Sequence, residues 1–143
     1  MSLFKIFDIA SSGMSAQSVR LNTISSNIAN AESVSSSIET TYRARHPVFS
    51  AKEADFAASL SASQQEYSSG VEVLGIVESP ATLPQRFEPN HPMADEKGYV
   101  TYPNVNIVDE MANMISASRA YQTNVDVMDA AKQMMQKILT LGQ

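Results

Sequence analysis

Two stretches of the chain place apolar or small side chains at alternating steps of four and three residues. The first stretch runs from residue 3 to about residue 31, and the second runs from residue 104 to residue 141. This spacing keeps the side chains on one stripe of an α-helix, the stripe along which helices pack together. The pattern therefore predicts a helix at each end of the chain, about 43 Å and about 55 Å long at 1.5 Å per residue.

The stripe residues are the candidates for packing within one chain or between copies. On the first helix they are Leu3, Phe7, Ala10, Met14, Leu21, Ile24 and Ile28, with Gln17 and Ala31 completing the spacing. On the second helix they are Ile107, Met111, Met114, Tyr121, Val125, Met128, Met135 and Leu139, with Ser118 and Lys132 at the remaining positions. Periodicity alone does not distinguish an ordinary core from an intersubunit contact. We expect the two helices to form an antiparallel coiled-coil-like pair, with neighbouring subunits covering what remains.

The two predicted helices differ in charge and capping. The first has few charged residues and includes Gly13, which costs about 1 kcal/mol relative to alanine in a helix interior. The second has Asn106 as a candidate N-cap with Asp109 three residues later, and Lys132 and Lys137 lie toward its C-terminal end. We therefore expect the first helix to depend on neighbouring subunits and the second to form readily.

The middle of the chain contains most of the prolines and the β-type patterns. We predict a Ser-rich loop at 34–41, an extended segment at 42–51 with Pro47 at an edge or start, and a mobile loop or weak helix at 52–69. We further predict a strand at 71–78 and a turn at 96–98 leading into a short β-run at 99–102. The predicted fold is mainly α with a small irregular β-module, divided into an N-terminal helix at 1–31, a middle module at 32–103 and a C-terminal helix at 104–143.

Composition excludes several classes of function. The chain has 143 residues, a net charge of -5 and no cysteine. The acidic balance argues against nucleic-acid binding, and the missing thiols exclude disulfides and thiolate metal sites. No segment is apolar for long enough to enter a membrane directly, and Lys5 and Asp8 interrupt the N-terminal apolar run, so a cleavable signal peptide is not expected.

Catalytic and metal-binding patterns are weak. His46 and His91 each precede a proline, and no second ligand stands at metal-binding spacing. Glu53 with Asp55, or Asp95 with Glu96, could in principle pair for glycan hydrolysis, which requires an enclosed cleft and carboxylates about 5 to 9.5 Å apart. We predict no enzyme activity, no cofactor and no metal.

Five short motifs stand out along the chain, namely Ser26 to Ala31, Tyr42 to Ala44, Gly98 to Val100, Pro103 to Asn106 and Ser116 to Asn124. Together they resemble the motifs of bacterial flagellar axial proteins, and most closely those of proteins of the proximal rod in the basal body. The resemblance covers nearly the whole chain. The motif residues taken as functional are Asn27, Ile28, Ala29, Asn30, Ala31, Tyr42, Arg43, Pro103, Asn104, Ser118, Arg119, Tyr121 and Asn124.

One position departs from the family pattern. Many axial proteins have Thr-Gly-Tyr soon after the Asn-Ile-Ala-Asn element, whereas here ten residues intervene and Thr41 precedes Tyr42. Because threonine tolerates positive φ poorly, we expect no left-handed turn at Thr41.

The resemblance implies a structural subunit of a helical tube that links the membrane ring to the distal rod and transmits torque across the periplasm. It implies export, without a cleaved signal, through the flagellar type III apparatus. The implied partners are other copies of the chain, neighbouring rod proteins, adaptor proteins between ring and rod, and that apparatus. The alternatives are a distal rod or hook-type subunit, a soluble secreted helical adaptor and a small periplasmic enzyme.

Overall fold

The computed structural model describes residues 3–52 and 70–141. Its elements in chain order are helix α1 (Leu3–Ala29), strands β1 (Arg45–Ala51), β2 (Val71–Glu78), β3 (Gln85–Phe87) and β4 (Tyr99–Thr101), and helix α2 (Ile107–Leu141). The mainly helical architecture with a small β-module is as predicted. The loop or weak helix predicted at 52–69 falls, apart from Lys52, outside the described residues.

Helix α1 ends two residues before its predicted limit. The last helical turn passes into a tighter one, in which the Ala31 N–H donates to the Ile28 carbonyl at 3.2 Å. The Asn30 side chain donates to the Ser26 carbonyl at 2.8 Å, which satisfies one of the carbonyls exposed at a helix end. Ala31 therefore lies outside the helix, where it is nevertheless buried.

Helix α2 begins at the predicted cap. The Asn106 Oδ1 accepts a hydrogen bond from the Val108 N–H at 3.1 Å, and the Asn106 Nδ2 donates to Asp109 at 2.8 Å. The first turn carries Asp109 and Glu110, whose negative charges favour the N-terminal end of a helix.

In the described part of the chain, the β-module contains two two-stranded sheets, one of β1 with β2 and one of β3 with β4. Hydrogen bonds from Ser79 N–H to the Ala44 carbonyl and from Lys52 N–H to the Gly70 carbonyl close the two ends of the first sheet, which is antiparallel. Pro47 is tolerated in β1 because each strand of a two-stranded sheet has one unpaired edge. Strand β2 has the predicted bounds.

Strand β3 was not predicted, because it has only three residues and stands among prolines. It pairs antiparallel with β4, with Arg86 opposite Val100. Gly98 has φ +80° in the preceding turn, as glycine readily permits, so the predicted turn at 96–98 is confirmed. No described residue other than glycine has a positive φ, which confirms the expectation for Thr41.

The chain divides into two compact units, and each helix contributes to both. Unit 1 comprises Met1–Val19, Val48–Gly75 and Ala117–Gln143, and unit 2 comprises Arg20–Pro47 and Ile76–Ser116. Among the described residues of unit 1, the buried apolar side chains are those of Ala10, Ala16, Ala117 and Ala131. Unit 2 buries Ile24, Ala31, Ala44 and Val100 together with the polar residues Thr23, Asn27, Ser35, Thr41, Thr101 and Glu110. Unit 2 therefore buries polar as well as apolar side chains.

Across the described ranges, neither helix has a stretch apolar enough to cross a membrane.

Candidate assembly site

The most buried polar side chain in unit 2 is Asn27, and its amide makes four hydrogen bonds. The Oδ1 accepts from the Tyr42 hydroxyl and from the Arg45 N–H, each at 2.9 Å. The Nδ2 donates to the Arg45 carbonyl at 2.9 Å and to the Glu110 Oε1 at 3.1 Å. An asparagine amide offers two donors and can accept two hydrogen bonds in this way, so Asn27 is fully satisfied at 0% exposure.

These bonds make Asn27 a junction of three parts of the chain. Asn27 lies near the end of α1. Its partners Tyr42 and Arg45 are the first and last residues of the segment at 42–45, which follows the Ser-rich loop. Its partner Glu110 lies in the first turn of α2. We call residues 42–45 the return segment. Antiparallel packing of α1 and α2 in unit 2 follows from this contact together with the bond from Arg20 Nη2 to Asn113 Oδ1 at 3.2 Å.

The return segment is also bonded to the stretch just before α2. The Ala44 N–H donates to Asn104 Oδ1 at 2.8 Å, and the Asn104 Nδ2 donates to the Ala81 carbonyl at 3.1 Å. The Arg43 guanidinium donates to the carbonyls of Ser79 and Ala81. The motif residues Asn27, Tyr42, Arg43 and Asn104, which come from three separate parts of the sequence, are thus brought together in one network.

Arg45 adds two charge-based contacts at the surface of this network. Its guanidinium lies 3.0 Å from Glu78 on β2 and 5.3 Å from the centre of the Tyr42 ring. Both Arg45 and Glu78 are about half exposed, so the ion pair contributes little stability by itself. The pair joins the end of the return segment to β2.

The remaining motif residues are distributed over both units. Pro103 and Ala31 are buried, Ile28 and Asn30 are half-buried, and Ala29 is exposed. Ser118, Arg119 and Tyr121 are exposed on α2, so they do not contribute to the core of unit 1. Asn124 is half-buried and donates to the Ala120 carbonyl at 3.0 Å.

Within unit 1, α1 and α2 approach closely at Gly13. A Cβ atom added to Gly13 would lie 3.0 to 3.2 Å from three atoms of the Asn124 side chain. The same part of α1 holds the start of β2, because Ser12 Oγ accepts from the Val71 N–H at 3.1 Å and lies 2.8 Å from the Cβ position of Gly70. Both glycines therefore provide space for a neighbouring side chain.

The predicted seam residues divide into inward-facing and exposed groups. The buried or half-buried ones are Phe7, Ala10, Met14, Leu21, Ile24, Ile28, Met114, Val125, Met128 and Met135. The exposed ones are Ile107, Met111, Tyr121 and Leu139, and Leu3 has no described side-chain environment. On α2 the most buried positions are Glu110, Ala117 and Ala131, which lie next to the predicted stripe. The inward face of α2 is thus formed by smaller and more polar residues than the stripe suggested.

Apolar side chains also form exposed stripes on α2. Unit 2 presents Val108, Met111 and Ile115, which are 73%, 56% and 57% exposed. Unit 1 presents Val127, Met134, Ile138 and Leu141, and the last is 87% exposed. Strand β2 also exposes Leu74, Ile76 and Val77. Contiguous exposed apolar surface typically marks a site of protein interaction.

Of the titratable residues considered for chemistry, Asp95 and His91 make hydrogen bonds to the backbone. The Asp95 Oδ1 accepts from the N–H groups of Lys97 and Tyr99, each at 2.8 Å, and so closes the turn before β4. His91 Nδ1 accepts from the Met93 N–H, and His46 is exposed on β1. Glu53 and Asp55 lie outside the described residues. Among the described residues no three His, Asp or Glu side chains are grouped so that they could hold a metal ion.

Tyr102 is the titratable residue with a distinct electrostatic environment. Desolvation raises the pKa of its phenol, and the hydrogen bond and negative charge of Glu88 act in the same direction, while Arg86 opposes them. Arg86 stacks on the Tyr102 ring at 4.7 Å from its centre. This arrangement keeps the hydroxyl protonated as a donor to Glu88.

Sequence reasoning missed the role of Glu110. The residue falls between two stripe positions in the first turn of α2, where an acidic residue is explained by the helix dipole alone. Its burial to 5% and its bond to Asn27 follow from the helix pairing. The sequence did contain one indication of this burial. Met114 follows Glu110 by four residues and Ala117 follows Met114 by three, so the three residues can lie on the same face of the helix.

Comparisons with known proteins agree with these motifs. Residues 7–34 match the family described as "Flagella basal body rod protein", and residues 96–141 match "Flagellar basal body rod FlgEFG protein C-terminal". The chain is 48% identical over 143 residues to the flagellar basal-body rod protein FlgC of Escherichia coli O6:H1 and, equally, to that of Yersinia enterocolitica, with full coverage of both chains. It is 35% identical to FlgC of Borreliella burgdorferi over 153 residues, covering 100% of this chain and 99% of the relative. The chain therefore belongs to the FlgC family of flagellar basal-body rod proteins and is a structural subunit of the proximal rod.

Proposed function

We propose that copies of this chain assemble helically with one another and with neighbouring rod proteins through apolar faces of α1 and α2. The exposed stripe of unit 1 on α2 carries the proposal. Its residues Val127, Met134, Ile138 and Leu141 follow steps of seven, four and three, so they share one helix face. Covering each of the larger side chains would contribute about 1.5 to 3 kcal/mol.

The stripe of unit 2 supports the same conclusion independently. Val108, Met111 and Ile115 follow steps of three and four and are all more than half exposed. Family membership places the chain in the flagellar basal body, among other rod and basal-body components. We propose that neighbouring copies or rod proteins cover both stripes, and that adaptor proteins between membrane ring and rod contact the same assembly.

Transmission of torque across the periplasm follows from such an assembly. In this proposal the subunit acts mechanically and has no catalytic role. Asp95 accepts the hydrogen bonds that close a turn, which supports a structural function for this residue. Closely packed helices are suited to carrying load, because packed interiors have low compressibility.

We further propose that the chain travels unfolded through the flagellar type III export apparatus and keeps its N-terminus. The absence of cysteine means that no disulfide has to be reduced before unfolding. Helices that gain most of their stability from packing can unfold for export and become ordered again when neighbours cover them.

The proposal is tested by placing charge in the unit 1 stripe. Met134→Asp with Ile138→Asp, introduced into a bacterium lacking its own copy of this chain, should leave secretion intact while abolishing rod assembly and swimming. The matched control is Gln133→Asp with Gln136→Asp, which changes exposed polar positions on the same helix and should swim normally. Normal swimming of the stripe variant would refute the use of this face in assembly.

A further inference from the structure

We propose that the buried pair of Asn27 and Glu110 selects the register in which α1 packs against α2 in unit 2. The competing registers are those displaced by one heptad. The inference concerns a single chain and does not depend on how copies assemble.

The apolar pattern of the two helices does not select a register by itself. Alternating steps of four and three repeat every seven residues, and a displacement of seven residues moves a helix by about 10 Å along its axis. Such a displacement places one stripe position where another stood. Because apolar burial is not directional, the displaced pairing can cover a similar area. The neighbours of Asn27 on the buried face of α1 are Thr23 and Ile24.

The polar pair behaves differently because hydrogen bonds are directional and both groups are buried. Asn27 is 0% exposed, Glu110 is 5% exposed, and Nδ2 lies 3.1 Å from Oε1. In a displaced register the Glu110 carboxylate would remain on the packed face without the Asn27 donor. A buried group that loses its partner bears the full cost of desolvation, so displaced registers are penalised. A single buried polar residue sets register in coiled coils by the same principle.

The pair also completes a ring of side-chain bonds. Asn27 is hydrogen-bonded to the backbone of Arg45, and the adjacent Ala44 is hydrogen-bonded to Asn104. Asn104 lies three residues before α2, and Glu110 in the first turn of α2 accepts a hydrogen bond from Asn27, which closes the ring. Removing the Glu110 link leaves the Asn27–Arg45 and Ala44–Asn104 bonds intact in the native register, and a displaced register has to break one of them. Glu110 is therefore the link that can be removed while the return segment keeps its own bonds in the native register.

The test uses the natural lack of cysteine in the full-length chain. Cysteines introduced by Ser25→Cys on α1 and Ala112→Cys on α2, both at exposed positions of unit 2, accept spin labels whose separation is measured by pulsed electron resonance. The unsubstituted labelled chain should give one distance. Glu110→Met should add a second population, displaced by up to about 10 Å, at unchanged helix content by circular dichroism.

Two variants serve as controls. Glu110→Gln keeps an acceptor for Asn27 and should retain the single distance, and Glu96→Met makes the same chemical change at an exposed position and should do the same. A single native distance in Glu110→Met would overturn the proposal, as would several distances in the unsubstituted chain. Loss of helix in Glu110→Met would also overturn it, because the pair would then maintain the fold rather than its register.

Discussion

Asn27 and Glu110 are hydrogen-bonded across 83 residues of sequence, with Nδ2 3.1 Å from Oε1 and both side chains buried. Asn27 belongs to the Asn-Ile-Ala-Asn element that identifies the flagellar axial class, and Glu110 belongs to the first turn of α2. The contact gives the motif a physical role. It connects the end of one terminal helix, the return segment and the start of the other helix in a single hydrogen-bonded network.

Asn27→Ala should lower the free energy of unfolding by about 3 kcal/mol, because it leaves the Arg45 backbone groups and the Glu110 carboxylate without their partner. Urea unfolding followed by circular dichroism measures the loss. Asn22→Ala, at an exposed position on the same helix, is the matched control and should change stability by less than about 0.5 kcal/mol. Equal effects of the two substitutions would contradict the network.

Gly98→Ala should destabilise the β3–β4 sheet by about 2 kcal/mol because of its positive φ. The added Cβ would lie 2.9 Å from the Phe87 ring and 3.2 Å from Pro89. Gly75→Ala is the control, since a Cβ at that glycine has no atom within 4 Å and its φ is not positive. Thermal unfolding should separate the two variants, and similar melting temperatures would show that neither φ nor contact matters at Gly98.

Gly13→Ala should show coupling to Asn124. Alanine favours a helix by about 1 kcal/mol relative to glycine, but its Cβ would crowd the Asn124 side chain at 3.0 Å. We expect little or no gain in stability when Asn124 is present and a gain of about 1 kcal/mol in an Asn124→Ala background. A double-mutant cycle measures the difference, and an identical gain in both backgrounds would mean that the helices do not approach at Gly13.

Leu21→Asp and Val125→Asp test the predicted seam in cells. Both residues are half-buried stripe positions, so a carboxylate there should abolish motility while secretion of the protein persists. Asn22→Asp and Ala130→Asp place the same charge at exposed positions and should leave swimming intact. If both stripe variants swam normally, burial of the seam in the rod would be excluded.

The long helices and β2 could be predicted because their signals are local. The cap at Asn106 and the glycine at the turn before Tyr99 act through neighbouring residues, so spacing and residue type were sufficient. Strand β3 could not be predicted in this way, because its three residues are extended only through pairing with β4. Local propensity has little influence on so short a segment among prolines.

The candidate site was predicted only in part. The motif residues were identified by resemblance, but their convergence on Asn27 depends on contacts between segments distant in the chain. The inward face of α2 is centred on Glu110, Ala117 and Ala131 because the close approach of α1 favours small side chains and a polar partner. The larger stripe residues Met111 and Leu139 are left exposed.

The sequence by itself determined the two terminal helices, the main strand between them and membership in the flagellar rod family, since these depend on periodicity, capping and motifs read along the chain. Only the tertiary structure decided which residues of those helices face inward and which polar groups are paired. A heptad pattern permits several helix faces and registers of similar apolar burial, and the directional bonds of buried side chains such as Asn27 distinguish among them.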